Sequence, residues 1–323
     1  MKANRKKNLI TAAGAVVVLT LCVLSVVFSK FELSQNQADT LKLLLIVCGC
    51  AAAYCFIVGE LADNYSQMDK LWSILPIAYT WIIAVRGGMH PRLFCYALFV
   101  TAWGVRLTVN FARKGAYSWK FWTGVEDYRW AIVRNNSILR RRPVWMLFDL
   151  FFISIYQNAL VLAICLPALA SMESAAWFGW IDVLVFCFAV GFLTLETVAD
   201  EQQWRFFETK KKLLADQPEL NKLPAPYDLG FNTTGLWGRM RHPNYLGEQG
   251  IWLSLYFVTV AAQATDCGVL HWSMIGPLLL ILLFMGSSSL GESITAKKYP
   301  HYASYVRQVF KYLPLRKFRR EEE

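Results

Sequence analysis

Long apolar runs alternate with short polar segments along this chain, and the charged residues collect in the latter. A hydrocarbon core about 30 Å thick takes roughly 20 helical residues. Runs of about that length fall near 9–29, 41–60, 71–86, 93–111, 143–168, 176–198, 248–265 and 271–291, the short third extending back through Met68. The pattern predicts an all-α, polytopic transmembrane helix bundle of about eight spans. Composition agrees, since 56% of the 323 residues are hydrophobic and 15% aromatic, too apolar for the surface of a soluble domain. The basic start MKANRKKN before an apolar run also resembles a signal peptide. That run is long and leads into FSKFELSQN rather than a small-residue cleavage site, so a retained anchor is expected.

Lys and Arg concentrate in cytoplasmic connections. With the N-terminus inside, the inner segments hold 28 of them against four outside, with Arg106 within the fourth span. Both termini are therefore expected in the cytoplasm, and the formal net charge of +10 calls for anionic lipid rather than nucleic acid. Of the eight cysteines only Cys267 falls outside the predicted spans, and His90, His242, His271 and His301 lack zinc-ligand spacing, so neither a disulfide framework nor a metal site is expected. No repeat or linker divides the chain. It reads as a single membrane domain over 1–323, with N-terminal spans in 1–60 and a core in 61–323.

Two inner connections carry more than charge. Segment 112–142 interleaves aromatics with both signs of charge, an interfacial pattern for Trp119, Trp122 and Arg140 to Arg142, whereas Glu126, Asp127, Tyr128 and Arg129 look like a packed polar cluster. Segment 199–247 starts as a helix leaving the membrane, breaks at Pro218, Pro224 and Pro226, and restarts at His242-Pro243.

Ionisable residues within spans are costly and mark function by default. Glu60, Asp149, Glu196, Asp200, Glu248 and Glu292 fall near the inner ends of their spans, Asp182 nearer the outer side. Glu60, Glu196, Asp200 and Glu292 are expected at helix C-termini, where the dipole disfavours negative charge. A basic neighbour such as Arg205, Lys210, Arg239 or Arg241, or a polar ligand, is expected to compensate them.

The stretch GRMRHPNYLGEQG, 238–250, gathers the chemistry. Pro243 suits the first helical position. The helix N-terminus beside Arg239 and Arg241 suits phosphate. Asn244 and Glu248 share a helix face and can together donate to and accept from a carboxamide. Gly247 and Gly250 thin the helix for a backbone or a flat ring.

TTGLWGRMRHPNYLGE (233–248) and GESITAKKYPHYASYVRQVFKYLP (291–314), with ETVADEQQWRFF, GVEDYRW, ADNYSQMDKLWSILP and WGVRLTVN, resemble the steroid 5-alpha-reductase-like superfamily, including its small uncharacterised branch and the sterol C14 and C7 reductases. The resemblance implies NADPH held at the cytoplasmic side and hydride transfer to an activated C=C bond of a lipid, in the endoplasmic reticulum membrane if the cell is eukaryotic. It implies cofactor contacts by Arg241, His242, Asn244, Tyr245, Glu248, Asp200, Lys298, Tyr299 and Tyr305, and Arg205, Arg239 and Glu292 join them as neighbours, so that the cofactor motifs concentrate in 196–314. Glu60 keeps the family's substrate-facing carboxylate and, protonated, is with Tyr128 as a nearby tyrosine the acid expected to stabilise the developing enolate. Gly59 stands where glutamine is expected and Glu196 where the steroid enzymes have asparagine, so a 3-oxo-4-ene steroid is not carried over. The RHPxYxG motif also resembles isoprenylcysteine carboxyl methyltransferases, which bind S-adenosylmethionine; a non-catalytic lipid-binding protein is the third possibility.

Overall fold

The computed structural model describes residues 2–264 and 268–320, the first nine by backbone alone. Cys267 and the side chains of the basic N-terminal segment lie outside the described residues. Regular structure among them is helical, apart from one parallel bridge between Met240 and Phe310.

In chain order the helices are α1 (Lys2–Val27), α2 (Gln35–Ala62), α3 (Gln67–Leu71), α4 (Leu75–Arg86), α5 (Pro91–Ala112), α6 (Tyr128–Arg134), α7 (Arg142–Phe148), a π-helical stretch (Asp149–Tyr156), α8 (Gln157–Ala163), α9 (Leu166–Ala170), α10 (Trp180–Asp216), α11 (Pro243–Tyr256), α12 (Val258–Ala261), α13 (Ile275–Lys298) and α14 (Tyr302–Gln308). Among the described residues five helical stretches are long and apolar enough to cross a membrane: Gln35–Ala62, Pro91–Ala112, Arg142–Ala163, Trp180–Asp216 and Trp272–Lys298. Thr11–Val27 and Leu75–Arg86 are apolar but shorter. The expected seventh span, 248–265, is divided between α11 and α12 at Phe257.

Local chemistry sets several boundaries. Ser34 and Gln37 form a capping box at the start of α2, and Asp63 closes that helix in the left-handed region at φ 47°. His90 caps α5 with Pro91 in its first turn, and Asp127 caps α6 through the amide of Arg129. α10 has 37 residues, about 55 Å at 1.5 Å per residue, and runs unbroken to Asp216 just before Pro218. Glu196 and Asp200 therefore lie inside a continuous helix, and Glu292 lies more than a turn before the end of α13. The expected dipole penalty at a helix end remains only for Glu60.

The chain forms two compact units, one of Met1–Val16, Phe186–Ser254 and Ile281–Glu323, the other of Val17–Val185 and Leu255–Leu280. We call them the first and second unit. The first has an aromatic core in which Leu229, Phe231, Tyr299, Tyr302, Tyr305 and Val309 cluster. The second is built on buried Leu44, Tyr79, Ile83, Tyr96, Val100, Trp103, Trp145 and Val161. A Cβ on Gly104 would meet the Ser73 carbonyl oxygen at 2.4 Å, so glycine sets the approach of α5 to the start of α4. Arg92 and Asp182 are fully buried together, with Nε donating to Oδ1 at 2.6 Å and Nη2 to Oδ2 at 3.0 Å. The remaining guanidinium hydrogens go to the carbonyls of Ala176, Trp177 and Ala261 and to the Ser174 hydroxyl.

The 112–142 connection is folded onto α3. Lys70 donates to the Phe121 and Thr123 carbonyls at 2.7 Å each, and Trp130 donates to Asp69 at 2.8 Å. Glu126 accepts from the Tyr65 amide at 2.7 Å. Burial pushes the Asp69 and Glu126 carboxyls above the usual range. Burial opposes ionisation of Asp127 as well, but its hydrogen bonds from Arg129 hold it below that range. The expected cluster thus holds for Glu126, Asp127 and Arg129, while Tyr128 is 61% exposed. Trp119 and Trp122 are exposed, as an interfacial segment requires.

Candidate functional site

The cluster around the RHP motif lies in the first unit and starts in the loop after α10. Asn232 caps the turn at Thr234, the Gln202 side chain accepts from the Leu236 amide at 2.9 Å, and Trp237 donates to the Ala199 carbonyl at 2.9 Å. The tail then returns: Arg241 and His242 give their amide hydrogens to the carbonyls of Phe310 and Lys311, at 3.0 and 3.1 Å. Pro243 opens α11 as its first residue. Two amides before the helix are thus held by the tail, and the phosphate-binding capacity expected there does not include them.

Arg241 is buried. Its Nε donates to Oε1 of Glu292 at 2.9 Å, and its Nη1 donates to the Val309 and Val306 carbonyls at the end of α14. His242 Nε2 lies 3.1 Å from the same Glu292 oxygen, and its ring stacks on Tyr245 at 5.1 Å. Burial lowers the imidazole below its ordinary range, and the Glu292 contact returns only part of that shift. Neutral His242 therefore presents an Nε2–H donor to the carboxylate. Tyr245 meets Phe284 edge-on at 4.5 Å.

Tyr305 is buried, and its hydroxyl donates to the Trp237 and Met240 carbonyls. Lys210 donates to the Gly230 carbonyl at 2.7 Å and to the Tyr299 hydroxyl at 3.2 Å. The side chain of Lys298, an exposed residue, lies over the Tyr299 ring. These groups tie the tail to the 199–247 loop, and burial pushes the Tyr302 and Tyr305 hydroxyls well above their usual range.

Asn244 stands apart. Its Nδ2 donates to Oδ1 of Asp200 at 3.2 Å, and its Oδ1 is buried with no donor among the described residues. The amide cannot be turned the other way without setting its oxygen against the Asp200 carboxylate. Glu248 is buried and accepts from Trp252 at 3.0 Å. The glycine face of α11 receives α10: a Cβ at Gly247 would meet Glu196 Cβ at 2.6 Å and the Phe192 carbonyl oxygen at 2.9 Å, and one at Gly250 would meet the Phe192 ring at 2.4 Å. Of the two partners expected for that face, the helix is the one found.

Arg239 is exposed, and Arg205 is 78% exposed and pairs with Glu201 at 2.7 Å. Glu60 and Tyr128 belong to the second unit. There Arg142 donates to Oε2 of Glu60 and, at 2.9 Å, to the Tyr65 hydroxyl. Asp149 and Arg142 were legible only as a carboxylate at an inner span end and a loop cation. The signal for them is a buried acid about two helix turns after the interfacial arginines of 140–142.

A dinucleotide carboxamide fits one feature of the first unit, since the orphaned Asn244 oxygen needs an N–H donor and Asp200 fixes its orientation. Exposed Arg239 and Arg205 can carry phosphate charge. Arg241, Tyr299 and Tyr305, by contrast, direct their polar atoms to protein partners. Among the described residues no group of three or more His, Cys, Asp or Glu side chains could hold a metal ion.

No solved structure matches the chain significantly. An uncharacterised protein of Schizosaccharomyces pombe is 36% identical over 284 residues, covering 80% of this chain and 77% of that protein. Residues 55–309 match the family described as a protein of unknown function, DUF1295, and span both the second-unit acids and the RHP cluster. The chain belongs to that family.

Proposed function

We propose that the protein is a multi-pass membrane reductase that uses NADPH to reduce an activated C=C bond in a steroid-like or other lipid. The observation that carries the reading is the Asn244–Asp200 pair with its orphaned amide oxygen, within a motif that resembles the steroid 5-alpha-reductase-like enzymes. In this reading α1, α4 and the α11–α12 pair complete eight crossings, both termini face the cytoplasm, and a eukaryotic host places the protein in the endoplasmic reticulum.

NADPH, when bound, supplies the hydride. Asn244 accepts from its carboxamide while Asp200 holds the asparagine in register. Arg239 and Arg205 balance the phosphates. Arg241, His242 and Glu292 brace α11 against the tail, with Tyr245 and Glu248 on the same helix and Lys298, Tyr299 and Tyr305 securing the tail. Glu60, with Tyr128 as the tyrosine alternative, is the candidate acid for stabilising the developing enolate.

The test is thermal unfolding of the purified protein with each cofactor. A ligand at 100 times its Kd stabilises the native state by about 2.7 kcal/mol. Protection by NADPH supports the reading. Protection by S-adenosylmethionine alone selects the methyltransferase, and protection by neither selects a non-catalytic lipid-binding protein.

A further inference from the structure

The chain after α14 is pinned twice to one short segment. Arg241 and His242 hold the carbonyls of Phe310 and Lys311, and the Phe318 amide donates to the Gly238 carbonyl at 2.8 Å. The Phe318 ring meets Tyr305 edge-on at 5.5 Å, against the aromatic core of the first unit. Residues 312–317 therefore form a loop between two anchors. Gln308 closes it onto α14 by accepting from the Arg319 amide at 2.9 Å.

Charge converges on that loop. Arg307, Gln308, Leu315, Arg316, Lys317 and Arg319 line a concavity of about 400 Å³. Four of the six are cations and none is an acid, so positive potential is concentrated there. Among the described residues no ion pair answers these four, whereas the next residue, Arg320, is paired with Asp228 at 2.6 Å. Arg316 rests over the Phe310 ring at 5.5 Å, a contact that steadies the guanidinium without using its N–H donors. Such donors suit phosphate, which they bind in pairs.

The loop also has a place relative to lipid. Lys311 donates to the Ser288 hydroxyl at 2.9 Å. Ser288 lies ten residues before the end of α13, about 15 Å along its axis, inside the apolar stretch Trp272–Lys298. That stretch exceeds the roughly 20 residues that cross a hydrocarbon core. In a membrane its last turns project past the hydrocarbon, and the tail runs back beside them. Leu313 and Leu315, next to the cations, are 56% and 69% exposed. Leucine toward acyl chains with guanidinium toward phosphate is the pattern of a segment at headgroup level.

We propose that this concavity binds the headgroup of an anionic phospholipid bearing phosphomonoester groups, with the loop leucines seated in the bilayer surface. Each such group carries about −1.5 to −2 charges at pH 7, so a headgroup with two of them matches four cations. The site rests on the chain crossing a membrane and not on the reductase chemistry.

Native mass spectrometry of the full chain in detergent tests it, with phosphatidylinositol bisphosphate, phosphatidylserine and phosphatidylcholine offered together. The bisphosphorylated lipid should be retained in preference to both; equal retention of phosphatidylserine overturns a selective site. That comparison uses the wild type alone and stands even if a variant fails to fold. Arg316→Gln/Lys317→Gln should weaken retention by about tenfold or more. The charge-matched Arg140→Gln/Arg141→Gln should leave it unchanged, and equal losses reduce the effect to net charge and overturn the pocket. Three further outcomes also overturn the proposal. Soluble inositol trisphosphate that binds as tightly as the lipid removes the membrane as the source. Binding only by a chain that ends at Arg320 makes Glu321 to Glu323, which lie outside the described residues, the occupant. NADPH that displaces the lipid turns the concavity into a dinucleotide site. Selective lipid retention by a protein that NADPH does not protect from unfolding supports the headgroup site and sinks the reductase reading alone.

Discussion

Arg241 Nε donates to Oε1 of Glu292 at 2.9 Å, with both side chains withdrawn from solvent. The arginine also binds the last carbonyls of α14, so it links the start of α11 to α13 and the tail. Removing one partner of a buried pair leaves an uncompensated charge and costs about 3–5 kcal/mol. Arg241→Ala and Glu292→Ala should each lower the unfolding midpoint strongly. Arg241→Lys should recover little, because an ammonium cannot span the carboxylate and the α14 carbonyls at once. Chemical denaturation in detergent measures this, and a midpoint near wild type for Arg241→Ala rules the link out.

Asn244 and Asp200 predict a separable effect on binding. Asn244→Asp sets two carboxylates in contact and removes the amide that orders the ligand. NADPH affinity should fall by about tenfold or more, equivalent to roughly 1.4 kcal/mol. Isothermal titration against NADPH gives the answer, and unchanged affinity removes Asn244 from the cofactor site.

The approach of α11 to α10 depends on missing side chains. Gly250→Ala drives a methyl into the Phe192 ring, and Gly247→Ala drives one against backbone. Overpacking of this kind costs about 1–3 kcal/mol. Gly247→Ala should be the worse, since the Phe192 carbonyl cannot rotate away as a ring can. Comparison of the two midpoints checks the order.

His242 predicts a pH dependence. Its folded pKa lies below the ordinary value of about 6.5, so the unfolded chain takes up the proton first as pH falls. Stability from this residue is complete above about pH 6.5 and falls as pH drops through the window down to the folded pKa. His242→Gln keeps an Nε2-like donor toward Glu292 and cannot titrate. Its melting temperature, followed from about pH 8 to 5, should lack the part of the acid-side decline that the wild type shows; equal slopes refute the assignment.

Arg92 and Asp182 make the same point inside the second unit. Asp182→Leu alone leaves a buried guanidinium unpaired and should destabilise by about 3–5 kcal/mol, whereas the double variant Arg92→Met/Asp182→Leu should regain much of that loss. A double variant as unstable as the single one would show that the carbonyl contacts of Arg92 matter more than its ion pair.

Hydropathy by itself determined the helical class and the position of the long apolar helices, because burial in lipid is imposed residue by residue along a span. Proline marked the end of α10 and the start of α11 just as locally, through its fixed φ and missing N–H. The breaks within the expected seventh span were not legible, because α11, Phe257 and α12 are equally apolar. Nor was the direction of any charged side chain. Arg241 reads from its motif as an anion clamp, yet it turns to Glu292 and Val309. Those partners lie 51 and 68 positions away in the chain, and only tertiary packing brings such groups together and decides which charges are answered.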